Sequence, residues 1–125
     1  MIHGIGTDIA AIARFSDMLK HHGDRALEKC LAPQEITDCR NHRDPDRFLA
    51  KRFAAKEALG KALGTGIRAP VLLPAIEVIH DPLGKPGFRF HGELATYIEQ
   101  RQLRCHLSLS DEQDTVVAFV VIETP

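Results

Sequence analysis

An α+β fold, a small antiparallel sheet packed with helices, is the class this sequence predicts, and three observations predict it. A helical apolar stripe runs from Ile12 to His22. A long helix-forming block, "RFLAKRFAAKEALGKALGTGI", runs from Arg47 to Ile67. Beyond that block the apolar period changes from helical to alternating. At 125 residues the chain is long enough to bury a core without disulfides or a structural metal, and one domain, 1–125, is expected.

The elements follow in order. "MIHGIGTDI" reads as a short strand ending at a turn, because its glycines would weaken a helix and Ile2, Ile5 and Ile9 hold no helical period. Asp8 is therefore expected near a strand end. Ile12, Phe15, Met18, Leu19 and His22 then form a helical stripe that stops at Gly23. A short helix is expected from Ala26 to Leu31, and "APQEITDCR" restarts one with Pro33 in its first turn, where a missing N–H does no harm. In the central helix Asp44 can act as the N-cap, Pro45 and Asp46 suit the first turn, and Gly64 and Gly66 supply the backbone that ends it. "AIEVIHD" and "GFRFHG" flank a Pro-Leu-Gly-Lys-Pro turn and predict a strand pair. "ELATYIEQRQ" predicts a helix, and "CHLSLS" with "TVVAFVVIE" an antiparallel hairpin. That last strand is apolar on both faces, so helices of the same chain or a neighbouring subunit must cover the second one.

Composition excludes several classes. The chain is 44% hydrophobic and 26% charged, and no segment reaches the roughly 20 apolar residues needed to cross a bilayer. The N-terminal stretch has no basic region ahead of an apolar run, so a secretory signal is not expected and a cytoplasmic protein is. Cys30, Cys39 and Cys105 are odd in number and contain no CxxC pair, which predicts reduced thiols and no zinc site. The net charge of -1 gives the molecule no reason to seek nucleic acid. Charge is nevertheless uneven: Arg40 to Arg68 holds eight Lys/Arg against three acids, and four acids with no Lys or Arg follow Arg104. A basic middle of this kind either meets an anionic partner or is a solvated helix face.

The chemistry centres on the helix. Glu57 and Lys61 stand at i and i+4, side by side, among the small residues Ala50, Ala54 and Ala58. A surface ion pair is one outcome. The other is a ligand site, with Glu57 as one carboxylate for Mg2+ and Asp8 as the second, since Mg2+ is commonly held by one or two carboxylates plus substrate phosphates. Asp8 could equally cap a turn. No GxGxxG or P-loop is present. Ser108 and His106 share a strand face but have no preset acid partner for a triad, and His106 would suit phosphate only if it were surface-facing beside the basic helix.

"GIGTDI", "FLAKRFAAKEALGKALGTGI", "LGKP" and "HLSLSDE" together resemble the holo-[acyl-carrier-protein] synthase family, the short 4'-phosphopantetheinyl transferases, from the first strand to the last. The resemblance implies the phosphopantetheinyl transferase fold and transfer of 4'-phosphopantetheine from coenzyme A to a serine of apo-acyl carrier protein, in fatty acid biosynthesis, with adenosine 3',5'-bisphosphate released. It implies Mg2+ bound by Asp8 and Glu57, with Lys61 close to the phosphates, and these three as the catalytic group. It places Arg52 and His106 near the nucleotide phosphates and Pro86 near the adenine, and it makes Arg14 and Arg25 contacts for an acidic carrier. It also implies a homotrimer with active sites between subunits, in which Asp8 and Glu57 could come from different chains. Where many members carry a histidine after "HLSLS", this chain has Asp111 and Glu112.

Two rivals remain open on the residues alone. A Mg2+-dependent nucleotide pyrophosphatase could use the same carboxylates without a carrier, and a non-catalytic module could bind an acidic protein through the basic segment.

Overall fold

The computed structural model describes residues 1–125. In chain order its elements are β1 (Ile2–Ala11), α1 (Ile12–His22), α2 (Asp24–Cys30), α3 (Pro33–Arg40), α4 (Pro45–Leu63), a 3-10 turn (Leu73–Ala75), β2 (Ile76–His80), β3 (Pro86–Phe90), α5 (Gly92–Gln100), β4 (Arg104–Asp111) and β5 (Thr115–Glu123). Antiparallel pairing gives one sheet of order β1-β5-β4 and a second of β2 with β3. This is the expected α+β class.

Two boundaries differ from expectation for local reasons. β1 does not stop at Asp8 but runs on to Ala11, because its pairing with β5 continues from Asp8 opposite Ala118 to Ala11 opposite Thr115. α2 begins at Asp24, two residues early, directly after Gly23 closes α1 with positive φ. The signals at the ends of α4 hold as read: Asp44 Oδ1 accepts from the Arg47 N–H at 3.2 Å, and Gly64 closes the helix in the left-handed region at φ 80°.

α4 lies across β1 and β5 and carries the centre of the core. Ala54, Ala58 and Leu59 are fully buried, as are Val116, Ala118, Val120 and Ile122 on the facing side of β5. The close approach depends on the glycines of β1. A Cβ built on Gly4 would collide with the carbonyl oxygen of Ala62, and one on Gly6 with that of Ala58. Small residues on both surfaces thus let the helix backbone sit directly on the strand.

The other face of the sheet is uncovered. Ile5, Ile9, Val117 and Phe119 are 62%, 70%, 37% and 43% exposed, and register places Ile5 opposite Val121, Ile9 opposite Val117 and Thr7 opposite Phe119. Helices of the chain itself therefore cover only one side of the doubly apolar strand.

Candidate active site

The glycine-assisted packing of α4 on β1 brings together the three residues singled out in the two sequence blocks. Asp8 follows Gly4 and Gly6 on the helix-facing side of β1 and is 17% exposed at its side chain. Lys61, one turn past Glu57, extends across the interface: its Nζ donates to the Thr7 carbonyl at 2.9 Å and to Asp8 Oδ1 at 3.2 Å. The expected i, i+4 pair between Glu57 and Lys61 does not form.

Glu57 is half-buried beside them. Burial raises its carboxyl above the ordinary value, the negative charge of Asp8 raises it further, and Lys61 and Arg14 pull the other way. Two carboxylates close enough to repel, with one lysine ammonium beside them, form a donor set suited to a divalent cation that keeps open positions for phosphate. Within a single chain the two carboxylates already lie near each other.

Arg14 flanks the cluster from α1. Its guanidinium lies 4.9 Å from the Phe53 ring centroid and 5.2 Å from that of Phe15, leaving the residue exposed. Arg25, on α2, lines a cavity of about 440 Å³ together with Met18, His22, Lys29 and Phe53. The two arginines therefore border one side of the molecule, with the apolar Met18 and Phe53 between them.

Arg52 is largely engaged by the chain itself. It is 9% exposed, its Nη1 donates to the Val78 carbonyl at 2.6 Å and to Glu35 Oε2 at 3.3 Å, and its guanidinium stacks 4.3 Å over Phe48. Its remaining edge lines a groove with His42, Arg47, Lys51 and His80. Burial, then Arg52 and Lys51, hold the His80 imidazole below its usual range. Pro86 joins this neighbourhood through its register partner His80.

His106 lies elsewhere within the chain. It stands opposite Val121, on the sheet face away from α4 and Asp8, and its Nε2 is 2.6 Å from Glu123 Oε1. It is surface-facing, but not beside the basic helix. The acidic stretch that departs from the family pattern has a local partner instead: Arg47 Nη1 meets Asp111 Oδ2 at 2.8 Å, and Lys51 reaches Asp111 Oδ1 at 3.3 Å.

The basic segment proves largely self-neutralised. Arg40, Arg47, Lys51, Arg52, Lys56 and Lys61 all pair with carboxylates of the same chain, leaving Arg43 and Arg68 of the eight without an ion pair. Sequence reasoning missed Glu35 and Lys56, both fully enclosed. The one signal for them was a lysine flanked by the alanines of "AAKEA", on a helix side it shares with Leu49, Leu59 and Arg52.

The fold, with Asp8 on its glycine-rich strand and Glu57 on the helix packed against it, defines a class, and comparison with known sequences agrees: over residues 4–120 the chain belongs to the 4'-phosphopantetheinyl transferase superfamily. More narrowly, it is 58% identical over 98% of both chains to the holo-[acyl-carrier-protein] synthase of Dechloromonas aromatica (strain RCB), and 60% identical over 99% of both to that of Azoarcus sp. (strain BH72). Among solved structures, the holo-[acyl-carrier-protein] synthase of Neisseria meningitidis superposes with a TM-score of 0.95 at 46% identity, covering 99% of this chain and 100% of that one. The Bacillus anthracis enzyme, solved in complex with CoA (3',5'-ADP), gives a TM-score of 0.84 at 37% identity, covering 100% of this chain and 99% of that one.

Proposed function

We propose that this chain, as one domain spanning 1–125, transfers the 4'-phosphopantetheine group of coenzyme A to a serine hydroxyl of an apo-acyl carrier protein, in fatty acid biosynthesis. The observation that carries the proposal is the meeting of Asp8, Glu57 and Lys61 at one edge of the β1–α4 interface, within a chain that matches the superfamily over residues 4–120.

The reaction joins the serine oxygen to the phosphorus next to pantetheine. The bond from that phosphorus to the bridging oxygen breaks, adenosine 3',5'-bisphosphate leaves with the electron pair, and the hydroxyl proton passes to a base. Asp8 and Glu57 would hold Mg2+, and their chemistry fits it: two neighbouring carboxylates, both partly buried. Bound there, Mg2+ supplies neutralisation of the pyrophosphate charge. Lys61 adds a positive charge at the same edge, available to the phosphoryl oxygens once Asp8 no longer needs it. Glu57, which has no cationic partner within ion-pair distance, is also a candidate to receive the serine proton.

Around this centre, Arg52 and Pro86 suit the nucleotide end through the basic groove. His106 would take part from the opposite sheet face, which requires a neighbouring subunit. The exposed Ile5, Ile9, Val117 and Phe119 support that arrangement, a homotrimer with active sites between subunits. Arg14 and Arg25 supply positive charge for an acidic carrier, beside the Met18 and Phe53 surface. No helix of the chain is long and apolar enough to cross a membrane, and a cytoplasmic location completes the proposal.

The deciding experiment is the intact mass of an apo-acyl carrier protein after incubation with this protein, coenzyme A and Mg2+, with EDTA as control. A gain of one phosphopantetheine group that EDTA prevents supports both the reaction and the metal. Coenzyme A cleaved without carrier modification would instead identify a pyrophosphatase.

A further inference from the structure

One cluster of titratable groups, of which the chemistry above uses only Arg52, is enclosed by the fold. Glu35 is 1% exposed and Lys56 is 0% exposed. Each Glu35 oxygen accepts from two donors. Oε1 receives the Ala32 N–H at 2.9 Å and Lys56 Nζ at 2.5 Å, while Oε2 receives the Val78 N–H at 3.0 Å and Arg52 Nη1 at 3.3 Å. Lys56 directs its other protons to the carbonyls of Cys30 at 2.8 Å and Leu73 at 2.9 Å. The cluster thus ties α4 to the end of α2, the start of α3, the 3-10 turn and β2, and no buried side-chain polar atom is left without a partner.

Stability alone is a weak reason for such a cluster. Apolar residues of similar volume in place of a buried ion pair are often neutral or stabilising. What hydrogen-bonded charges provide and apolar contacts do not is a fixed direction. At 3.6 residues per turn, Arg52 and Lys56 share one side of α4, and the mean direction of Glu57 and Lys61 lies about 140° around the axis. The cluster therefore grips the helix from behind the site. On the sheet side, Gly4 and Gly6 hold the axis close at Ala62 and Ala58, but contacts between small residues resist rotation poorly. Glu57 follows Lys56 directly, so any roll that displaces Lys56 swings Glu57 by the same angle.

We infer that Glu35 is a positioning residue: through Lys56 and Arg52 its carboxylate sets the roll of α4 and so aims Glu57 at Asp8. The inference rests on the assignment of Asp8 and Glu57 as a metal-binding pair.

The test is titration of the full-length protein with Mn2+ alone, followed by electron paramagnetic resonance, for wild type, Glu35→Gln, Glu57→Gln and the double variant. Denaturation midpoints and transferase kinetics accompany it. Glu35→Gln, under conditions where circular dichroism shows it folded, is expected to weaken Mn2+ binding about 10-fold or more and to lower kcat with the KM for carrier unchanged. In the Glu57→Gln background the same change should add almost nothing, because both act through one group. Glu35→Asp, which keeps the charge, should recover part of the loss. The apolar pair Glu35→Met with Lys56→Met covers the case where a lone buried ammonium prevents folding; it is expected to fold and still bind Mn2+ weakly. A folded Glu35→Gln or double-Met variant with wild-type Mn2+ affinity and kcat overturns the inference. So does failure of all these variants to fold, since the cluster would then serve the fold itself. If wild type and Glu57→Gln bind Mn2+ alike, the metal-pair assignment has failed, and the positioning role falls with it.

Discussion

Lys61 reaches away from Glu57, its neighbour one turn back on α4, and binds Asp8 on β1, with Nζ 3.2 Å from Oδ1 and 2.9 Å from the Thr7 carbonyl oxygen. The contact joins the two sequence blocks that carry the chemistry. It also leaves Glu57 without an ion-pair partner next to a second carboxylate, a costly arrangement in a partly buried position unless a cation or a proton enters.

Removing either carboxylate should abolish turnover while sparing the fold. Asp8→Asn and Glu57→Gln are each expected to lower kcat by at least about 100-fold, or about 2.7 kcal/mol of transition-state stabilisation. Both should keep a wild-type circular dichroism spectrum. Steady-state assays by carrier mass shift check this, and rates near wild type for either variant would remove it from the site.

Gly6→Ala should harm the protein through the backbone. The new methyl would meet the Ala58 carbonyl and the Ala62 nitrogen, neither of which can rotate aside. A loss of about 3 kcal/mol is expected in urea denaturation. Gly84, with φ 92° and open space around it, offers a contrasting control, because its alanine variant suffers backbone strain without a clash.

Arg14→Glu should act on the carrier and not on the chemistry. An about 10-fold rise in the KM for an acidic carrier is expected, with kcat close to wild type. Wild type should approach the variant as salt rises, because screening removes the attraction that Arg14 supplies.

Phe119→Lys should shift the oligomeric state. It places a charge in the exposed apolar face formed with Ile5, Ile9 and Val117. Light scattering after gel filtration is expected to give a trimer mass for wild type and a smaller species for the variant. Identical masses would remove this face from the interface.

Acid should loosen the tie between α4 and the β4–β5 hairpin. Partial burial pushes the Asp111 carboxyl up, but hydrogen bonds and charge from Arg47 and Lys51 outweigh it and hold the group below its usual value. Hydrogen bonding from the Arg47 N–H, with its guanidinium, lowers Asp44 likewise. A depressed folded value means that the unfolded chain binds more protons between the two values. The stability is thus complete above the unfolded value of about 3.9 and is lost as pH falls through the folded one. Denaturation midpoints of wild type and Asp111→Asn should differ at neutral pH and converge as pH falls below the unfolded carboxylate value.

Local rules determined much of this protein. The stripe ending at Gly23, Pro33 in a first turn, Asp44 as a cap and Gly64 as a terminator each depend on neighbours a few residues away, and each was legible for that reason. The glycine-rich strand and the KEA-x-x-K helix were legible as carriers of chemistry, but periodicity could not bring them together. Their meeting depends on Gly4 and Gly6 lying against Ala62 and Ala58, a complementarity between surfaces more than fifty residues apart in sequence. The same limit hid Glu35, which in sequence is one more acid in the first turn of α3 and in the fold is the single anion between Arg52 and Lys56. Nor could the sequence tell which apolar face of β5 the chain itself covers: α4 occupies one, and the tertiary structure leaves the other bare. Hydrogen bonds to near neighbours are written in the order of residues, whereas the partner of a buried charge or an apolar face is decided when distant elements pack.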